Sequence, residues 1–333
     1  MSYVDRFFDR RPGQLSLQDL ELMLVNRLSS FALLGFDIKL NESEEPKIVE
    51  VNGIHSGMKG FQLAEVTPAM YVPDDYAGLP PPSPDFNPCE RVVQYYLSLH
   101  LGSNGLHYIV KHLEKMGLQA SYLSYFISDP GHAPLDHASQ PLAETLVGIE
   151  QILQDKLEVD THFKHLRSWK PKTYATIQEL LKTESPTYII RKPEQGKRGE
   201  GIEILEADTF EGISEKPETV VESFIHSKPL LYPAQGTYHD GCMRYVVVVE
   251  DSITTGEIEI THFGGYWRLC PLPLDEYGHI DAMRANLAQG AIAQRASSQD
   301  LRLVRDAINT FVPSFYRSLV REAKERISKQ QTI

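Results

Sequence analysis

The chain has 333 residues, 41% of them hydrophobic and 23% charged, with 33 basic against 45 acidic side chains for a formal charge of −12. That length exceeds one ordinary domain and buries a sizeable core, so two or three lobes around a cleft are expected. The acidic balance opposes non-specific binding to nucleic acid or to an anionic membrane. Cys89, Cys242 and Cys270 are few, odd in number and widely spaced, which fits neither a disulfide framework nor a zinc motif. The opening MSYVDRFFDRRPG lacks the apolar run of a secretory signal, and no later stretch has the length and apolarity to span a bilayer. A soluble, cytoplasmic α/β protein is the expectation.

In chain order, residues 16–34 (SLQDLELMLVNRLSSFALL) carry apolar residues at helical spacing, with Ser16 as N-cap and Gly35 as the stop. FDIKL and KIVEV read as two strands, joined across the polar NESEEP as a hairpin. The proline-rich 72–88 reads as a linker. A helix around 102–116, a strand near 120–127 and a helix over about 141–157 follow. Next come a strand (TYIIRKP), a glycine-bearing loop (EQGKRGEG), a strand (IEIL) and a short buried strand (VVESFI). RYVVVVED and EIEITHFGGYWRL pair as a second hairpin, and helical periodicity returns over about 299–328.

Two stretches carry chemistry. In IIRKPEQGKRGEG a buried strand delivers Lys192 beside Gly196, Gly199 and Gly201. Glycines let backbone N–H groups approach phosphate oxygens, and a lysine adds charge. The loop leads into a strand and lacks the P-loop spacing. Its plain alternative is a hairpin with solvated lysines. In the first hairpin, Glu50 and Asn52 point to one face because strand side chains alternate, and Asp37 joins them if the two strands pair. Two carboxylates and an amide oxygen form a hard oxygen set suited to Mg²⁺. The plain alternative is an acidic, solvent-facing hairpin, which describes Glu42, Glu44 and Glu45 in the turn.

Taken together, these residues resemble the ATP-grasp superfamily, above all its D-alanine–D-alanine ligases and ribosomal-protein glutamate ligases. LGFDIKL…KIVEVNGIHSGM has the form of the family's aspartate strand followed by E-x-N, which implies that Asp37, Glu50 and Asn52 hold two magnesium ions. Lys156 in QDKL and Lys192 in IIRKP look like the two ATP lysines. VVESFI looks like the hinge strand, with Glu222, Phe224 and Ile225 at the adenine edge. Arg244 in CMRYVVVV, and Arg284 with Asn286 in RANLAQGA, resemble two further segments. The metal segment lies in front of these motifs instead of after them, which implies a circular permutation of an ATP-grasp fold whose two lobes clamp ATP. The implied division is 1–60 (permuted metal hairpin), 61–150 (linker and small α/β unit), 151–225 (lobe with the glycine loop) and 226–333 (second lobe).

The resemblance further implies that a small-molecule or peptide carboxylate attacks ATP, giving an acyl phosphate that an amine then captures, with ADP and phosphate released. Lys156 and Lys192 would hold phosphates, and Arg244 and Arg284 would neutralise the transferring group. Some relatives carry an arginine two residues before the metal aspartate; Gly35 stands there, leaving that role to Arg244 or Arg284. His55, Ser56 and Lys59 follow the metal segment and are candidate substrate contacts, as are Arg268, beside Trp267, and Asn286. A phosphotransferase or a non-catalytic nucleotide-binding protein on the same scaffold stays open, as do the acid, the amine and the oligomeric state.

Overall fold

The computed structural model describes residues 28–53, 59–66, 97, 101, 105–117, 139–194, 201–206, 209, 213, 216–253, 256–276 and 282–330. The linker expected over 72–88, the strand near 120–127 and the first part of the helix expected from residue 16 lie outside them.

Leu28–Leu40 is a 13-residue strand, β1. This corrects the helix expected to reach Leu34. From Ser30 onward the strand is buried on both faces, so the alternation that marks a half-exposed strand is missing. Gly35 is no helix stop; it lies mid-strand, opposite Asn52 on one side and Val246 on the other. β2 (Pro46–Asn52) completes the expected hairpin, with Asp37 directly opposite Glu50. β8 (Gly241–Ser252) and β9 (Ile258–Leu269) form the second hairpin, and β10 (Ile292–Arg295) lies on its far edge. The five strands make one antiparallel sheet in the order β10-β9-β8-β1-β2.

Two helices cover one face of this sheet. α2 (Ser139–Leu153) and α5 (Ser298–Gln330) pack on each other and on β1. Phe36 meets Phe311 edge-on at 5.4 Å, and Tyr316 Oη donates to Ser30 Oγ at 3.0 Å. Burying a side chain such as Phe36 contributes roughly 2–3 kcal/mol. Trp267 belongs to this face: it is buried and its Nε1 donates to Asp300 of α5 at 3.2 Å. Pleating therefore turns its neighbour Arg268 to the opposite face. The short α1 (Lys59–Leu63) lies against that opposite face, with Phe61 edge-on to Tyr266 at 5.1 Å.

The helix expected over 141–157 is two helices. After Leu153 the chain breaks, and Asp155 caps α3 (Lys156–His162) by accepting from the Glu158 N–H at 2.9 Å. A second, smaller sheet has the order β4-β3-β5, from β3 (Tyr188–Pro193), β4 (Glu203–Glu206) and β5 (Thr219–Ser223). It packs on α4 (Ile177–Leu181) through its own core of Tyr174, Ile177, Leu180, Ile189 and Val221. β6 (Leu230–Tyr232) and β7 (Thr237–His239) form a two-stranded ribbon. Among the described residues no helix is long and apolar enough to cross a membrane.

Two connectors tie the small sheet to the large one. Residues 163–174 run from α3 past β2, where Ile48 N–H donates to Trp169 O at 2.8 Å, to β5, where Tyr174 and Val221 exchange two 2.9 Å backbone bonds. Residues 224–228 leave β5 and reach β1, where Lys228 N–H donates to Leu40 O at 2.6 Å.

Candidate active site at the junction of the two sheets

The face of the large sheet away from the long helices carries the charge. Glu50, Asp37, Arg244, Tyr266 and Arg295 are successive cross-strand partners from β2 to β10, so register alone puts them in one row. Two residues along each strand, Lys39, Cys242 and Arg268 form the next row on the same face.

Asp37 is held by two guanidiniums. Its Oδ1 accepts from Arg244 Nε at 2.5 Å and lies 2.7 Å from an Arg268 terminal nitrogen, and its Oδ2 accepts from Arg244 at 3.1 Å. Burial alone would raise the carboxyl's pKa, but the two arginines outweigh it and hold Asp37 below the ordinary range. Burial works against the Arg268 charge as well, and Asp37 more than restores it. Arg268 Nε is a buried donor with no partner among the described residues. Burial pushes the neighbouring Cys242 thiol up to about 11, so it is a neutral wall of the site. Both Cys242 and Cys270 are free and buried.

The small sheet brings the lysines. Lys192 on β3 donates to Glu222 Oε2 at 2.7 Å across the β3–β5 pair, and its Nζ lies 3.5 Å from Val49 O on β2. Lys156, first residue of α3, donates to Pro193 O at 3.0 Å. Burial and the nearby Lys192 lower its pKa, more than Glu50, Glu222 and Asp155 raise it. For Lys192 burial is the largest influence and lowers, yet Glu222 and Glu50 together raise it above the ordinary value. Glu50 therefore faces both lysines while standing beside Asp37. Lys156 and Lys192 thus face Glu50 and Glu222, with Asp155 beside Lys156, while Arg244 and Arg268 face Asp37.

Glu222 is the most enclosed of the carboxylates facing the lysines. Oε1 accepts from Lys170 Nζ at 2.9 Å and from Thr173 Oγ1 at 2.6 Å. Its side chain is thus engaged by two lysines and a threonine hydroxyl. Burial opposes its charge, and Lys170 and Lys192 more than reverse that, holding the carboxyl far below the ordinary value of 4.5. A depressed folded-state pKa means that the stabilisation is complete above 4.5 and is lost as pH falls from there toward the folded value. The stability of Glu222→Gln is therefore expected to fall less steeply than that of the parent between about pH 5 and pH 3. Urea midpoints across that range measure this, and parallel curves would show that Glu222 does not govern the acid limb.

The remaining sequence-nominated residues divide. Phe224 leaves β5 with its ring under Lys39 Nζ, 4.2 Å from the centroid, while Lys39 donates to Asp240 at 2.7 Å; one ring face is therefore occupied. Ile225, the next residue, is half-buried in the same connector. Gly201 has a φ of +68° at the return of the glycine loop, whereas Gly196 and Gly199 lie outside the described residues, as do His55 and Ser56. Asn286 accepts from the Ala288 N–H at 2.9 Å and caps a single 3-10 turn ended by left-handed Gly290, so turn chemistry accounts for its side chain. Arg284 is half-buried on the approach to that turn. Trp267 packs under α5 and is removed from the charged face. Lys170 and Thr173 had no motif to mark them. Lys39 had one, since it alternates with Asp37 in FDIKL.

Do these residues suit a magnesium nucleotide? Asn52 Nδ2 is buried with no partner among the described residues. Its oxygen and nitrogen are interchangeable assignments, and turning the amide sets an oxygen acceptor there. Asp37 Oδ2 accepts one bond and retains a lone pair. No three His, Cys, Asp or Glu side chains converge among the described residues, so a cation here would rest on two carboxylates and an amide, with phosphate oxygens completing its shell. That set fits Mg²⁺, which keeps few protein ligands when it binds with phosphates. Gly53, directly after Asn52, has no room for a side chain: a Cβ would lie 2.1 Å from the Glu150 carboxylate of α2. A pocket of about 370 Å³, lined by Lys228, Leu230, Trp267, Arg295, Ser297 and Asp300 among others, takes Arg295 from the β10 end of that row and none of Asp37, Glu50, Lys156 or Lys192.

No family model matches the chain, and no curated protein matches it. Among solved structures it is similar to a glutathione synthetase-like effector from Globodera pallida in its apo form, with a TM-score of 0.31 and 9% identity over 76% of this chain and 78% of that one.

Proposed function

We propose that this chain is an ATP- and magnesium-dependent ligase of ATP-grasp type that joins a carboxylate to an amine, with its core circularly permuted. The observation that carries the reading is the approach of Lys192 and Lys156 to the Glu50–Asp37 hairpin. Three of the resemblance's most separated motifs thus meet at one junction. Support for the permutation is that β1 and β2, early in the chain, lie in one sheet with β8, which bears Arg244.

In this reading Lys156 and Lys192 hold phosphate oxygens. Asp37, Glu50 and Asn52 hold magnesium, whose chemistry when bound is to neutralise charge on the β and γ phosphates. Arg268, with Nε still to be satisfied, orients the acceptor carboxylate toward the γ-phosphorus, and Arg244 keeps the Asp37 side of the cleft fixed. The chain's contribution is positioning and charge neutralisation, as in phosphoryl transfer generally.

Incubation with ATP, Mg²⁺, pooled small acids or peptides, and hydroxylamine is expected to give ADP, inorganic phosphate and a hydroxamate. Glu50→Gln, which removes one charge at nearly constant volume, is expected to abolish most of that turnover while the chain stays folded. AMP with pyrophosphate would refute acyl-phosphate chemistry, and a stable phosphorylated product without free phosphate would make the chain a kinase.

A further inference from the structure

The pocket of about 370 Å³ lies between two strand edges, since its walls include Leu230 and Leu231 of β6 and Gln294 and Arg295 of β10. Among the described residues, β10 is outermost in the large sheet and pairs only with β9, and β6 pairs only with β7. Leu231 turns its carbonyl toward β10, where a side chain meets it: Gln294 Nε2 donates to Leu231 O at 3.1 Å. Within a strand the N–H and C=O of one residue point to the same side, so the Leu231 N–H faces the gap as well. A glutamine amide thus stands where the backbone of a further strand would stand. It fills that place incompletely. Leu231 O can only accept, which fixes Nε2 as the donor and leaves Oε1 buried with no partner among the described residues.

The charges around the gap are matched among themselves. Lys228 donates to Glu44 and to Asp300 at 2.7 Å each, and the other Asp300 oxygen accepts from Trp267 Nε1. Arg295 is exposed, with one terminal nitrogen on Glu65 O. Lys228 and Arg295 balance Glu44 and Asp300, so no counter-ion is called for. Pro229, Leu230, Leu231 and Trp267 make the apolar walls. Leu231 is 45% exposed and pairs across the ribbon with Tyr238, 52% exposed, so apolar surface continues out of the gap. Two free edges, apolar walls and a volume at the low end for ligand sites describe a place for one short extended chain. We propose that the gap between β6 and β10 binds an extended peptide with uncharged side chains by strand addition, and that Gln294 is its placeholder. A peptide amide takes over the bond to Leu231 O, and Gln294 swings out, which ends the burial of its unmet oxygen. Trp267 and its cross-strand partner Gln294 lie on the helix-covered face, opposite Arg268, so the inference stands apart from the ligase reading.

Fluorescence titration of the full chain with acetyl-Thr-Val-Thr-Val-amide, without ATP, tests this. The chain has two tryptophans, and in Trp169→Phe the signal comes from Trp267, a wall of the gap. Saturable binding is expected in wild type and in Trp169→Phe. None up to millimolar peptide, or a signal lost in a folded Trp169→Phe, overturns the proposal. The same peptide with every amide nitrogen methylated keeps its side chains but has no donors, and is expected to bind about tenfold more weakly or worse. Equal binding would make the site an apolar pocket and overturn strand addition. Gln294→Ala is expected to bind the parent peptide several-fold more tightly, because no placeholder competes; weaker binding would make Gln294 a ligand contact and overturn its assigned role. Leu231→Pro removes the N–H on the gap side of an edge strand and is expected to abolish binding, and binding kept by the folded variant overturns the proposal. If Leu231→Pro does not fold, Gln294→Ala and the methylated peptide decide.

Discussion

Asp37→Ala is expected to lower the free energy of unfolding by about 3–5 kcal/mol, the range for stripping one partner from a buried ion pair. The reason is an imbalance of charge and not lost packing. Asp37 and Arg244 are each about 6% exposed in their side chains and Arg268 11%, so both guanidiniums would stay buried without their shared carboxylate. Arg268→Met is expected to cost much less, because Asp37 keeps the two bonds from Arg244. Denaturant unfolding at neutral pH measures both variants. A loss below about 1 kcal/mol for Asp37→Ala would mean that water reaches the arginines and that the pair is worth no more than a surface one.

Lys192→Met is the second large effect, and it falls on binding instead of stability. The variant is expected to bind ATP roughly 100-fold more weakly, the order for one charge-assisted phosphate contact in a closed cleft. Its fold is expected to hold, since Glu222 keeps Lys170 and Thr173 as partners. Tight ATP binding by a folded Lys192→Met would detach β3 from the nucleotide and remove the basis of the ligase reading.

Where a pattern had one physical meaning, the sequence could be read. NESEEP between two apolar pentads gave the first hairpin, and the run RYVVVVED with EIEITHFGGYWRL gave the second. Leu28–Leu34 had two meanings, since seven apolar or small residues fit a helix face or a strand covered on both sides, and only the partners β2 and β8 decide between them. The break at Gln154–Asp155 was written in the capping aspartate but concealed by apolar spacing that runs through it. For the site, strand alternation with the expected hairpin pairing set Asp37, Glu50 and Asn52 on one face. The pairing of Arg244 and Arg268 with Asp37 depends on register between strands some two hundred residues apart, which no local pattern encodes. Lys170 was invisible for the same reason, because its contact with Glu222 spans 52 positions.

That distance has a cost during synthesis. β1 is a central strand, buried on both faces, yet of its two neighbours only β2 is at hand when it leaves the ribosome; β8 follows about two hundred residues later. At roughly 5–20 residues per second the unpaired edge of β1 stays open for about ten seconds or more. An open edge of that length and composition is a template for pairing with other chains. Yield of folded protein is thus governed by competition between arrival of the β8–β9 hairpin and capture of β1 by a neighbouring nascent chain. Slower initiation, which spaces nascent chains apart, favours the native partner.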